Sequence, residues 1–399
     1  MKSITVEEAL QQLLEHTPIL NEEQMPLLKA LGQRLTQNIC ADHPQPPFDR
    51  SPLDGYALRA ADIAQASADA PVTLEVVDKL YAGDVSSVPV LPGQAVRLMT
   101  GSMVPQGADC VIRQEDTDEG EQMVRIFQRV AAGRNICYRG EEYQVGECLL
   151  SVGQRIDTAA IAVASGAGRS TLPVRRQAKA AVVSTGSELQ RLGQPLMPGK
   201  IYDSNSAFLA AELQQMGAAV TEIRSVVDET DLIVQTLTEL AGTVDLILTT
   251  GGVSVGQKDL METAVLQTGG HIVFHGVDMK PGMPTMFAMI GNTMVLCLSG
   301  NPFSAAVPFA LFVKPILARM AGDLSWEPHW EQGQAATPFP KSSPTRRFLR
   351  GTFQEGSVSI PSKQANGQMR SMIGSNCLLD IPAGTERINV ADTVRVLMI

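Results

Sequence analysis

The chain has 399 residues, 44% hydrophobic and 19% charged, so it can bury several cores and divide into two to four domains. Its net charge of −10, from 32 basic and 42 acidic residues, argues against broad nucleic-acid binding and leaves an anionic substrate only where a pocket is locally positive. No apolar run approaches the ~20 residues of a membrane helix, and the opening MKSITVEEAL lacks the apolar centre of a secretion signal, so a cytoplasmic protein without membrane contact is expected.

Thr5-Val6-Glu7-Glu8 spells a capping box, and Val6, Leu10, Leu13 and Leu14 follow at helical spacing until Thr17-Pro18. From Met25 to Glu141 short apolar runs alternate with Pro, Gly and Asp. Residues 71–84, 95–116 and 123–130 read as strands joined by turns, giving a β-rich domain over 26–141. Within it, 42–59 (DHPQPPFDRSPLDGYALR) reads as a long irregular loop. Residues 1–25 and 142–176 are assigned to an N-terminal, helical linker domain.

At 177 the texture changes. Residues 178–185 form a continuous apolar strand of the kind buried on both faces. A helix over 205–217, a strand over 219–227, a helix over 229–241, a strand over 244–250, a helix over 258–268 and a strand over 272–277 follow. MFAMIGNTMVLCLSGNP (286–302) adds two strands around an Asn-bearing turn, the second taken as antiparallel. A helix over 303–321 comes next, weakened by Pro308 and Pro315. This alternation predicts a doubly wound, mostly parallel sheet over 177–323. Short strands over 346–354, 357–362 and 377–384 then predict a small β-barrel-like domain over 324–399. The fold class is α/β multidomain. The six cysteines (40, 110, 137, 148, 297 and 377) form no C-x-x-C and read as reduced, mostly buried thiols.

Ligands of open α/β sheets bind at the carboxyl ends of the strands. Three chemically loaded turns fall there: Thr185-Gly186-Ser187-Glu188, Asp228-Glu229 and Thr250-Gly251-Gly252-Val253-Ser254. Ser299-Gly300-Asn301-Pro302 is a fourth. The third has two readings. As an anion seat, Gly251 and Gly252 let bare backbone approach an oxyanion, with Ser254 and Lys258 within reach in sequence. A helix dipole supplies only ~0.3–1 kcal/mol, while micromolar affinity needs about 8 kcal/mol. Three or so charge-assisted hydrogen bonds at roughly 1.5–3 kcal/mol each close that gap. As a nucleophile turn, Gly252 to Gly256 spells G-x-S-x-G, and Ser254, Asp278 and His329 keep hydrolase chain order, although His329 lies beyond the sheet domain.

Glu188, Asp228 and Asp259 are hard oxygen donors suited to Mg²⁺ bridging to a substrate phosphate. His271 and His275 sit four apart in a strand pattern and read as core or edge residues. Asp54 precedes a Gly in the Pro-bearing SPLDGYA; Arg139, Glu141 and Glu142 stand together in YRGEEY. Arg346, Arg347 and Arg350 are the strongest basic cluster and read as a phosphate contact or an edge solubiliser.

SPLDGYALR, VRLMTGSMVPQGAD, RGEE, STGSEL, YDSN, TTGGVSVGQKD, MKPGMP and SGNP follow one another along nearly the whole chain. In this order they resemble the molybdenum cofactor insertion enzymes, the molybdopterin molybdenumtransferases, to which the gephyrin C-terminal region is similar. The resemblance implies a molybdopterin-binding fold, adenylated molybdopterin and molybdate as substrates, AMP release, Mg²⁺ and a homodimer. Pterin adenylyltransferase and recipient molybdoenzymes are the further partners it implies. It assigns catalytic roles to Asp54, Thr100, Glu188, Asp228 and Asp259, and Mg²⁺ to Glu188 and Asp228. Substrate contacts fall on Gly251, Gly252, Ser254, Lys280, Pro302, Arg350 and Ser371. The chain departs from the family pattern at Glu142, Ser187, Met283 and Ser299; Ser187 and Met283 each stand where the family carries a charge. The alternative those departures raise is a divergent paralogue that binds the pterin, or acts as a scaffold, without insertion.

Overall fold

The computed structural model describes residues 3–253 and 260–399. They form two compact units, Gln37–Ser170 and Met1–Thr36 with Thr171–Ile399.

Gln37–Ser170 holds a five-stranded sheet in the order Cys110–Arg113, Gly55–Leu58, Gln94–Leu98, Val72–Leu80, Met123–Ile126. Gly55–Leu58 is an inner strand, which corrects the long-loop reading of 42–59. All four of its residues are buried, so no polar–apolar alternation betrays it, and a Pro-rich approach disguises its start. A Cβ at Gly55 would lie 1.9 Å from the Ile112 carbonyl oxygen, so only glycine fits between the paired strands.

The second unit begins with helix α1 (Val6–His16), capped as its sequence predicts: Thr5 Oγ1 accepts from Glu8 N at 3.1 Å, and Thr5 N donates to Glu8 Oε2 at 2.8 Å. The doubly wound domain follows as β1 (Lys179–Thr185), α2 (Ser204–Gln215), β2 (Ala219–Val226), α3 (Thr230–Leu240), β3 (Leu246–Thr250), α4 (Leu260–Gln267), β4 (His271–His275), β5 (Met286–Ile290) and β6 (Thr293–Leu298). The strand order is β2-β1-β3-β6-β5-β4. β6 runs parallel to β3, and β5 is the antiparallel member. This corrects the expectation for the strand before Ser299: its carboxyl end lies on the same edge as those of β1 and β3.

Alternate residues explain the apolar strands. Ala180, Val182, Leu246, Leu248 and Leu296 join a core with α1, α2 and the helix after β6. Ala181, Val183, Ile247 and Val295 join the opposite core with α3 and α4. A strand covered on both faces has no polar side to show.

At the other end of the sheet, Asp245 receives Arg176 through two 2.7 Å bonds and Lys179 N at 2.8 Å. Burial by itself pushes this carboxyl up; the Arg176 guanidinium and the Lys179 N–H bring it below its ordinary value of 3.8. Asp245→Asn is expected to cost about 1–3 kcal/mol at neutral pH. A depressed carboxyl stabilises above its unfolded pKa and ceases to as pH falls through the folded one, so the difference between wild type and variant should shrink as pH drops below 3.8. Urea unfolding at pH 7 and pH 3 checks this.

After β6 the chain runs as one helix from Pro302 to Met320, with a π-turn over Phe309–Val313 instead of a break at Pro308. By length and composition this 19-residue helix could cross a membrane, yet 83% of its apolar window is buried inside the protein. The C-terminal strands β7 (Trp330–Ala335), β8 (Arg346–Gln354), β9 (Ser357–Ser359), β10 (Cys377–Ile381) and β11 (Thr393–Met398) close into a small barrel through the β8–β10 pairing. β7 and β11 were not foreseen. No disulfide joins the six cysteines among the described residues; Cys110, Cys297 and Cys377 are buried, whereas Cys148 is exposed.

Candidate active site

The chain reverses direction across the sheet at β1, which has β2 on one side and β3 on the other. Such a switch point opens a crevice between the strand ends. Here it is a cleft of about 1330 Å³.

The loop after β1 brings Thr185, Gly186 and Glu188; the loop after β2 brings Asp228; the loop after β3 brings Gly251 and Gly252. The loop after β6 adds Ser299 and Pro302, and the 280–284 loop adds Lys280 and Met283. Six of the expected residues, Glu188, Asp228, Gly251, Gly252, Lys280 and Pro302, therefore line one cavity. Ser254 and Asp259 lie outside the described residues. Asp54 and Thr100 belong to the other unit. There the strand register opposes Gly55 to Leu98, and just past that pair Asp54 Oδ1 accepts from Thr100 N at 2.7 Å and Thr100 Oγ1 at 2.8 Å. These bonds hold the Asp54 carboxyl below its ordinary 3.8.

Backbone crowding explains the glycines. Gly251 has φ +91°, and a Cβ on it would lie 2.2 Å from the Thr185 carbonyl oxygen. Gly252 has φ +67°, with Thr185 Oγ1 at 2.8 Å from its own would-be Cβ. The two loops at the switch point thus pack backbone against backbone. Asp228 Oδ2 accepts from Ser187 N at 3.3 Å, which ties the loop after β2 to the loop after β1. Lys200 Nζ donates to the Ser187 carbonyl.

A buried amide network braces this edge and was missed from sequence. Asn205 Nδ2 donates to Thr250 Oγ1 at 2.9 Å and to the Gly300 carbonyl at 2.8 Å, and Thr250 Oγ1 donates to the Ser299 carbonyl at 3.1 Å. The available signal was Asp203, the N-cap of α2, which places Asn205 in the first helical turn beside the strand ends.

The basic cluster divides. Arg346 is engaged by Asp380 (2.7 Å) and Glu7 (2.6 Å). Arg350 is 1% exposed and lines a separate cavity. Its guanidinium lies 4.0 Å from the Phe303 ring centroid and donates to the carbonyls of Gln368 (2.5 Å) and Ala365 (2.7 Å). It orders the 364–368 loop, whose Asn366 carbonyl accepts from Phe303 N at 2.9 Å. Burial lowers its pKa, and a guanidinium stays charged in proteins. Arg350→Lys keeps the charge but not the fork, and is expected to lower stability by about 2 kcal/mol. A loop held some other way would leave the melting temperature unchanged. Ser371 Oγ donates to the Gln368 carbonyl at 3.1 Å and does not line the cleft.

Among the described residues no three of His, Cys, Asp and Glu gather as a metal cage; His275 instead meets Glu262 at 3.0 Å. Glu188 and Asp228 on one cavity wall do fit Mg²⁺, which takes one or two carboxylates and completes its shell from water and substrate phosphate.

Comparison with known proteins covers both units. The MoeA N-terminal region (domain I and II) matches residues 4–168, a probable molybdopterin binding domain matches 181–319, and the MoeA C-terminal region (domain IV) matches 332–399. A molybdopterin molybdenumtransferase of Bacillus subtilis (strain 168) is 36% identical over 406 residues, spanning 99% of this chain and 94% of the relative. One from Staphylococcus aureus (strain COL) is 33% identical over 399 residues, spanning 99% and 95%. A crystal structure of the molybdopterin biosynthesis moea protein from Pyrococcus horikosii superposes with a TM-score of 0.83 at 28% identity, over 100% of this chain and 99% of that one.

Proposed function

The chain belongs to the molybdopterin molybdenumtransferase family and acts in molybdenum cofactor biosynthesis, and from that premise we propose that its cleft inserts molybdate into adenylated molybdopterin and releases AMP. The observation that carries this reading is the convergence of Glu188, Asp228, Lys280 and the Gly251–Gly252 backbone on one cavity.

Each residue has a physical task. Gly251 and Gly252 admit the phosphates against bare backbone, which any side chain would block. Lys280 has no ion-pair partner among the described residues and offsets the negative charge of phosphate or molybdate. Asp228, oriented by Ser187 N–H, and Glu188 are the residues that would hold Mg²⁺. Bound there, the metal would offset negative charge on the phosphate oxygens. The Asn205–Thr250 network keeps these loops in register. The reading includes a homodimer in the cytoplasm, with Asp54 and Thr100 contributed by a second copy.

The test is AMP release by the purified chain from adenylated molybdopterin and Mg²⁺, with and without molybdate. Release that needs molybdate supports insertion; release indifferent to molybdate, or none, overturns it.

A further inference from the structure

A second cavity, of about 580 Å³, lies beside the cleft and shares Lys280, Pro281 and Asn366 with it. Four cations line it, Lys280, Lys341, Arg347 and Lys363, and among the described residues no carboxylate does. That inverts the balance of a chain whose net charge is −10. None of the four forms an ion pair among the described residues. Arg346, the neighbour of Arg347, shows the contrast, since Glu7 and Asp380 neutralise it.

Arg347 supplies an independent sign. Its Nε is buried with no hydrogen-bond partner. Its Nη2 reaches only the Ser342 carbonyl, at 3.5 Å. A half-buried guanidinium with so few acceptors is poorly satisfied, and an anion reaching its Nη atoms would improve that balance.

The chemistry of the walls narrows the ligand. Pro338 and Pro340, both exposed, and the half-buried Pro361 add apolar surface to the same lining. A bare tetrahedral oxyanion would meet one or two cations and leave that surface to water. A molecule with a ring or other apolar body and a multiply charged phosphate uses both, and a cavity of this size suits it. We propose that this cavity is a second binding site, adjoining the cleft, for an organic phosphate of mononucleotide size. Lys341 and Lys363, both exposed, and the half-buried Arg347 guanidinium hold the phosphate.

The test is calorimetric titration of the full-length chain with AMP, ATP and inorganic phosphate. Wild type, the double variant K341Q/K363Q and the cleft variant E188Q are compared. Both lysines are exposed, so the double variant should fold, and an unchanged melting curve checks that; K363Q alone is the fallback. Expected in wild type are two AMP-binding events, one at the cleft and one that weakens at least tenfold in K341Q/K363Q, while molybdate-dependent AMP release survives in the double variant. AMP is also the product expected from the cleft, so failure of the cleft reading removes one of the two events and leaves the one that depends on Lys341 and Lys363. Nucleotide binding unchanged in K341Q/K363Q, no binding in wild type, or inorganic phosphate binding as tightly as AMP would each overturn the proposal.

Discussion

Glu188→Gln is expected to slow molybdate-dependent AMP release by about 10²–10³-fold while leaving the melting temperature within a degree or two of wild type. The side chain is exposed at the cleft, so its removal empties no core. The substitution keeps size and hydrogen-bonding shape and deletes only the negative charge. If that charge helps fix Mg²⁺ against the phosphoanhydride, the loss belongs to the transition state and appears in kcat more than in KM. Single-turnover rates at saturating substrate separate the two. A rate within about threefold of wild type, at unchanged stability, would remove Glu188 from the chemistry and leave Asp228 as the carboxylate to test.

Gly251→Ala is expected to destabilise by roughly 3–6 kcal/mol, combining strain at positive φ with forced repacking. The new methyl would sit 2.2 Å from a main-chain oxygen, and main chain has no rotamer by which to yield. Either the loop after β3 lifts away from β1 or the strand end frays. Both outcomes should abolish adenylated-molybdopterin binding. Gly242→Ala is the control: that residue also has positive φ, +79°, but its Cβ would meet nothing within 4 Å. Equal losses at both positions would refute the account based on backbone crowding.

Local signals foretold the doubly wound domain well. The capping box at Thr5, the glycine after α2 and the unbroken apolar strands each carry information about their own few residues. Harder to foresee were features fixed by distant partners. Gly55–Leu58 is a strand because Cys110–Arg113 and Gln94–Leu98 flank it, and nothing within its four residues says so. The direction of β6 is set by its parallel neighbour β3, with α4, β4 and β5 between them in sequence. In the cleft, motif residues on loops after strands were legible because strand ends are. Asn205 was not, because its importance lies in which carbonyl and hydroxyl its amide meets. Arg350 was visible as a charge, but its burial over Phe303 was not.

Lys280 reaches the cleft from a two-residue strand, Met279–Lys280, which pairs in parallel with Arg346–Arg347 at the start of β8. One wall of the cleft is therefore held by a segment encoded about seventy residues downstream. A chain ending at residue 323 would retain every strand of the six-stranded sheet and still lose the register that fixes Lys280. A nonsense mutation in the last fifth of the gene would then yield a product that keeps its central sheet but does no work. Selection on catalysis thus reaches the C-terminal barrel as directly as it reaches the glycines.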